Sequence, residues 1–130
     1  MTAQVDELVA AAREAALNAY APYSGFRVGA AVLADDGTVF TGANVENASY
    51  PVSSCAEATA VAHAASKGMR RITATAVACI DADSIEGAYP CGRCRQILNE
   101  FDTETVYVTT GSGEVRTHTL TELLPHGFKL

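Results

Sequence analysis

Three of the chain's four cysteines fall in two short segments, "SSCAEA" at 53–58 and "PCGRC" at 90–94. Any fold it adopts must either bring them together or leave them apart. Cys91 and Cys94 are three residues apart, which on a helix places two sulfurs on one face, a turn apart. Pro90 suits the start of such a helix. Cys55 lies 36 positions before Cys91, at the start of another helical run. If the strands ending near Val52 and Ile80 are neighbours, the two helix N-termini meet and three sulfurs can grip one ion. Thiolates rather than thiols bind metal, and a helix N-terminus favours negative charge through its free N–H groups and dipole. Thiolate softness and tetrahedral geometry point to Zn²⁺. Three protein ligands leave the fourth position open, the mark of a catalytic rather than a structural site. Glu57, two residues past Cys55, could then take a proton from water at that position and hand it to a substrate nitrogen. Ser54-x-x-Glu57 also reads as a capping box, but a cap gives no account of Cys55.

Composition narrows the setting. The chain has 130 residues, 48% hydrophobic and 18% charged, which suits one domain, residues 1–130, with a real core. A net charge of −6 disfavours nucleic acid and anionic lipid as partners, and the longest basic cluster is "KGMRR" at 67–71. The opening "MTAQVDELVAAAREAA" has early acidic residues and no basic run, so no signal peptide is expected. No apolar run approaches the roughly 20 residues of a membrane span. A cytoplasmic protein is expected, where four cysteines suggest metal or catalysis before disulfides.

Along the chain, apolar positions at 4–19 follow a helical period. "FRVGAAVLA" at 26–34 and "TVFTGA" at 38–43 flank "DDG", a hairpin signal. A polar connection, 44–54, leads into a helix from Cys55 to Gly68, where the glycine is a natural terminator. "ITATAVACI" at 72–80 reads as a strand buried on both faces. A helix from Cys91 to about Phe101, strands at 105–110 and 114–119, and a last helical turn at "LTELLP" complete the order. The natural packing is a sheet covered by helices. Both middle helices could be crossovers, making part of the sheet parallel.

"CAE" at 55–57 and "PCGRC" at 90–94 resemble the zinc motifs of cytidine deaminases. "PYSGFRVGAA" at 22–31 and "GANVENASY" at 42–50 resemble segments of the small, homotetrameric class, and the likeness runs from about Tyr20 to Phe128. The resemblance implies a three-layer α/β/α fold with a five-stranded mixed sheet. It implies deamination of cytidine and 2′-deoxycytidine to uridine and 2′-deoxyuridine with release of ammonia, a step of pyrimidine salvage. It gives Cys55, Cys91 and Cys94 the role of holding one Zn²⁺ per subunit, and Glu57 that of proton shuttle. Phe26 packs by the nucleoside, Asn44 and Glu46 hold the ribose 3′-hydroxyl, and the Ala56 backbone contacts the base. Tyr50 is a 5′-side ribose contact or a loop anchor. Phe128 closes over the base of an adjacent subunit, so the active sites of a homotetramer are completed by its neighbours. One departure stands out: many relatives carry arginine after "CAE", where this chain has Ala58. Three thiolates and one Zn²⁺ keep a net negative charge, which Arg93 or Arg95 is expected to offset.

The plainer readings are set by position. Cys79 lies inside an apolar strand and reads as a core thiol. His63, His118 and His126 lack ligand spacing. Asn44 and Glu46 sit in a loop where packing offers them no task, which favours binding. Two other enzymes compete with a free-nucleoside deaminase: one for a related aminopyrimidine nucleoside such as a nucleoside antibiotic, and one that edits polynucleotides, opposed by the acidic charge. From another class comes a non-enzymatic, zinc-stabilised interaction domain with a closed four-ligand site.

Overall fold

In the computed structural model, which describes residues 2–130, the hydrophobic periods resolve into four helices and five strands. They run α1 (Ala3–Ala16), β1 (Val28–Ala34), β2 (Val39–Ala43), α2 (Ala56–Ser66), β3 (Ile72–Cys79), α3 (Gly92–Glu100), β4 (Thr105–Thr110), β5 (Val115–Thr119) and α4 (Leu120–Leu123). The strands form one sheet in the order β2-β1-β3-β4-β5. The hairpin pairs Val32 with Phe40, and β1 is antiparallel to β3 as well. Only β3 and β4 pair in parallel, with Thr75 opposite Val106, while β5 returns antiparallel. The sheet is therefore mixed, as expected.

Strand alternation splits the core into two layers. Ala31, Ala76 and Ala78 face α1, where they meet Leu8, Val9 and Ala12. Ala30, Val32, Val77, Val106 and Val108 face the other way, onto Ala56, Ala60, Val61 and Leu98 of α2 and α3. Small residues on both surfaces let helices and sheet approach closely. On the α2 side the approach is closest at Gly42, where an added Cβ would lie 2.4 Å from the Ala60 nitrogen and 2.8 Å from the Ala56 carbonyl oxygen. Both are backbone atoms of α2, so they cannot swing aside. Gly42→Ala is expected to cost about 2–3 kcal/mol and lower Tm by roughly 5–15 °C in a thermal melt. An unchanged Tm would mean that α2 does not rest on β2 as described.

Two expectations need correction. The first helix ends at Ala16 rather than near residue 19. Its last amides turn tightly, Leu17 to Glu14 and Asn18 to Ala15, and Leu17 is exposed. Tyr20 then pairs with Val45, which draws the chain out of the helix. Nor does any strand end near Val52, where Tyr50–Val52 is a 3₁₀ turn. The strands before α2 and α3 are β2 and β3, and β1 lies between them. Because β1 is antiparallel to both, β2 and β3 run the same way, and α2 and α3 start from the same edge of the sheet. The helix starts converge by strand direction, not by strand adjacency.

Candidate metal centre and nucleoside cavity

The polar connection folds back on itself through a bridge between Val45 and Ser54, which delivers Cys55 to the start of α2. Cys55 is the N-cap of α2 and Cys91 the N-cap of α3, and neither side chain caps its own helix. Cys94 is the third residue of α3 and buried. The three sulfurs lie within 4.8 Å of one another. Tetrahedral zinc with bonds of about 2.3 Å needs sulfurs about 3.8 Å apart, which this cluster accommodates with small adjustments. The expected capping box is absent: Ser54 bonds the Thr59 hydroxyl instead, at 3.2 Å.

Beside the cluster lies a cavity of about 270 Å³. Cys55, Ala56, Glu57 and Cys91 line one part of it; Phe26, Asn44 and Glu46 line another. Its size sits near the lower end for small-molecule sites, roughly 300 Å³ and up. A larger cavity of about 580 Å³ opens beside Asp83, Glu86, Gly111 and Arg116 and holds neither the cysteines nor Glu57. The chemistry belongs to the smaller one.

The family model described as "Cytidine and deoxycytidylate deaminase zinc-binding region" matches residues 2–110. The chain belongs to the cytidine and deoxycytidylate deaminase family. It is 44% identical over 126 residues to a cytidine deaminase of Sporosarcina psychrophila, covering 95% of this chain and 90% of that protein. A cytidine deaminase of Halalkalibacterium halodurans is 46% identical over 124 residues, with 93% and 91% covered. Among solved structures, the cytidine deaminase from Burkholderia pseudomallei superposes with a TM-score of 0.87 at 43% identity, over 98% of this chain and all of that one. The deaminase fold and a zinc-binding character follow, and the donor set fits the metal. Cys55, Cys91 and Cys94 are the residues of this deaminase that could hold it.

Electrostatics at the cluster follow from packing. The Cys94 thiol hydrogen-bonds toward Cys55, which holds Cys55 down to about 6, while the same contact and burial push Cys94 up. Arg93, whose charge also favours the Cys55 thiolate, does what the sequence suggested. Arg95 does not. Its guanidinium donates to the Pro90 and Leu123 carbonyls, both at 2.8 Å, and ties α3 to α4. Glu57 is 4% exposed, and burial, with the Cys55 charge adding, raises its carboxyl to about 7. A cation at the sulfurs would pull it back toward the carboxylate.

The remaining predicted residues divide. Asn44 accepts from the Val28 amide at 2.9 Å and donates to the Phe26 carbonyl at 2.8 Å. Glu46 accepts from the Tyr23 and Ser24 amides at 2.9 and 3.1 Å, and from the Ser24 hydroxyl. Packing does give both side chains a task, contrary to expectation. Each fixes the turn that presents Phe26. Tyr50 is 71% exposed and sits edge-to-face with Tyr23, at 6.0 Å. Phe128 is 65% exposed, its carbonyl held by Gln96 and Asn99. Neither ring lines the cavity of its own chain. Cys79 is buried, as expected, and its Sγ points to the Ala88 carbonyl at 3.6 Å. His63 rests on Phe40, and His118 contacts Tyr89 and Glu122. Ser53, Val77, Cys79 and Tyr89 also line the cavity and were missed. Tyr89 had one sequence signal, its place directly before Pro90.

Proposed function

We propose that this chain is a hydrolytic deaminase of cytidine and 2′-deoxycytidine, releasing ammonia and leaving uridine or 2′-deoxyuridine, a step of pyrimidine salvage. One observation carries the reading: three convergent sulfurs and a buried carboxyl border a cavity of nucleoside size. Cys55, Cys91 and Cys94 would hold Zn²⁺. When bound, the metal supplies a Lewis acid that makes water a usable nucleophile near neutral pH. Glu57 takes one proton from the attacking water and gives it to N3 of the pyrimidine. It carries a second proton to the exocyclic nitrogen as the C4–N bond breaks and the C4–O bond becomes the carbonyl. Its burial excludes bulk water from that exchange. Phe26 flanks the base, and the Ala56 backbone meets the base edge.

Asn44 and Glu46 hold the ribose 3′-hydroxyl with the capacity their internal bonds leave. An amide offers two donors and two lone pairs, and a carboxylate about four lone-pair sites. Their internal bonds then act as preorganisation, since neither head group has to be ordered on binding. The same reading takes residues 1–130 as one catalytic domain, cytoplasmic and assembled as a homotetramer. The exposed Phe128 ring supports assembly, because it is placed to close over the base in a neighbouring subunit's site.

The test is the ultraviolet absorbance of cytidine incubated with zinc-loaded protein, with ammonia measured in parallel. Loss of the cytidine band with one ammonia per uridine is the expected outcome. Silence toward cytidine, with turnover of another aminopyrimidine nucleoside, would move the substrate and keep the chemistry. Silence across a nucleoside panel would overturn the enzyme.

A further inference from the structure

Tyr89 lines the cavity together with Phe26, Glu57 and Cys79, yet its hydroxyl is anchored outside it. The residue closes the loop between β3 and α3, directly before the segment that carries Cys91 and Cys94. Its hydroxyl meets Nε2 of His118 at 2.8 Å, and the two rings stand edge-to-face at 5.2 Å. His118 lies on β5, and its Nδ1 faces a carboxylate oxygen of Glu122 at 3.4 Å. Glu122 is fixed in turn, because Thr119 and Glu122 form a reciprocal capping box at the start of α4. A carboxylate only accepts, so Glu122 draws the proton of a neutral imidazole to Nδ1 and leaves Nε2 to accept from the phenol. Arg116, on the same strand and bound to Glu86 at 3.1 Å, lies beside the same hydroxyl.

We propose that Tyr89 packs against the bound nucleoside and that His118, braced by Glu122, is a positioning residue that fixes the Tyr89 ring. The proposal rests on the nucleoside reading of the cavity. Without its hydroxyl anchor the ring keeps its volume but gains rotational freedom, and substrate binding must then order it. The cost falls on binding rather than on proton transfer, because the Tyr89 hydroxyl is bonded to His118 and the proton carrier is Glu57. The β5–α4 corner thus sets substrate affinity from outside the metal centre.

The experiment measures kcat and KM for cytidine on zinc-loaded wild type, Tyr89→Phe, His118→Ala, His118→Gln and the Tyr89→Phe/His118→Ala double variant, with zinc content and Tm for each. Tyr89→Phe and His118→Ala are each expected to raise KM about 3- to 10-fold, with kcat within about twofold and zinc retained. The double variant should be no worse than either single one, since both remove the same bond. His118→Gln, whose amide reaches about as far as Nε2, should return KM to within about twofold of wild type. An unmoved KM in an active background overturns the proposal, even if Tm falls, and additive KM effects overturn the coupling. Should His118→Ala fail to fold, Tyr89→Phe and His118→Gln decide alone. An inactive wild type would instead bring down the nucleoside reading and this proposal with it.

Discussion

Replacing Glu57 by glutamine is expected to lower kcat for cytidine by about 10²–10⁴-fold while leaving one zinc bound per chain. The difference corresponds to roughly 3–5 kcal/mol of transition-state stabilisation. Glutamine keeps the shape and hydrogen-bonding reach of the carboxylate but cannot carry a proton between water, N3 and the leaving nitrogen. The position is 4% exposed, so bulk water cannot easily stand in. Metal content should hold because Glu57 lies outside the three-sulfur cluster. KM should move little, since the amide still fills the same wall of the cavity. Steady-state kinetics and metal analysis on one preparation test both halves. A kcat within tenfold of wild type would remove Glu57 as the proton carrier, and loss of zinc would make it a metal ligand.

That prediction draws on residues legible in the sequence, and the reason is chemical. Cys55, Glu57, Cys91 and Cys94 are residue types whose spacing serves few purposes besides a metal centre, and Pro90 marks the start of one flanking helix while Gly68 marks the end of the other. Gly68 adopts a φ of +94°, as a helix terminator should. Strands such as Thr105–Thr110 were legible from β-branched runs bounded by turn residues. Strand adjacency was legible only for the β1–β2 hairpin, because β1 is inserted between β2 and β3 by its long-range pairing with β3, which no local pattern encodes. The cysteines converge all the same, since shared strand direction is enough to bring both helix starts to one edge.

The cavity wall was harder to read for the same physical reason. Val77 and Cys79 look like ordinary core residues of a buried strand, and only the gap between helix starts exposes them to a ligand. Asn44 and Glu46 carried a polar-loop signal whose meaning was incomplete: their side chains hold backbone amides and carbonyls of the turn before β1. The arginines illustrate the limit from the other side. Arg93 and Arg95 are equivalent in the sequence, but helical rotation sends one toward Cys55 and the other to carbonyls of Pro90 and Leu123.

The largest effect is expected from Cys94→Ser, which should abolish stoichiometric zinc binding, and with it turnover, by more than about 10³-fold. Cys94 is the buried member of the trio, fully enclosed beneath Cys55 and the exposed Cys91. The one other cysteine does not stand in for it. Cys79 is held at the Ala88 carbonyl and pushed up to about 12 by burial, so it stays a thiol near neutral pH. The histidines are engaged or placed elsewhere, His63 at Phe40 and His118 at Tyr89. Serine is smaller and a harder donor, and its hydroxyl does not ionise at neutral pH, so two thiolates are left to hold the metal. Because a ligand that binds only the folded state stabilises it, losing the metal should also lower Tm. Chelated wild type should melt close to the variant, which separates metal loss from the cost of the substitution itself. Metal analysis, cytidine turnover and a melt of both proteins give the answer. A Cys94→Ser protein that keeps one zinc and normal turnover would refute the three-cysteine centre and require a ligand from elsewhere in the chain.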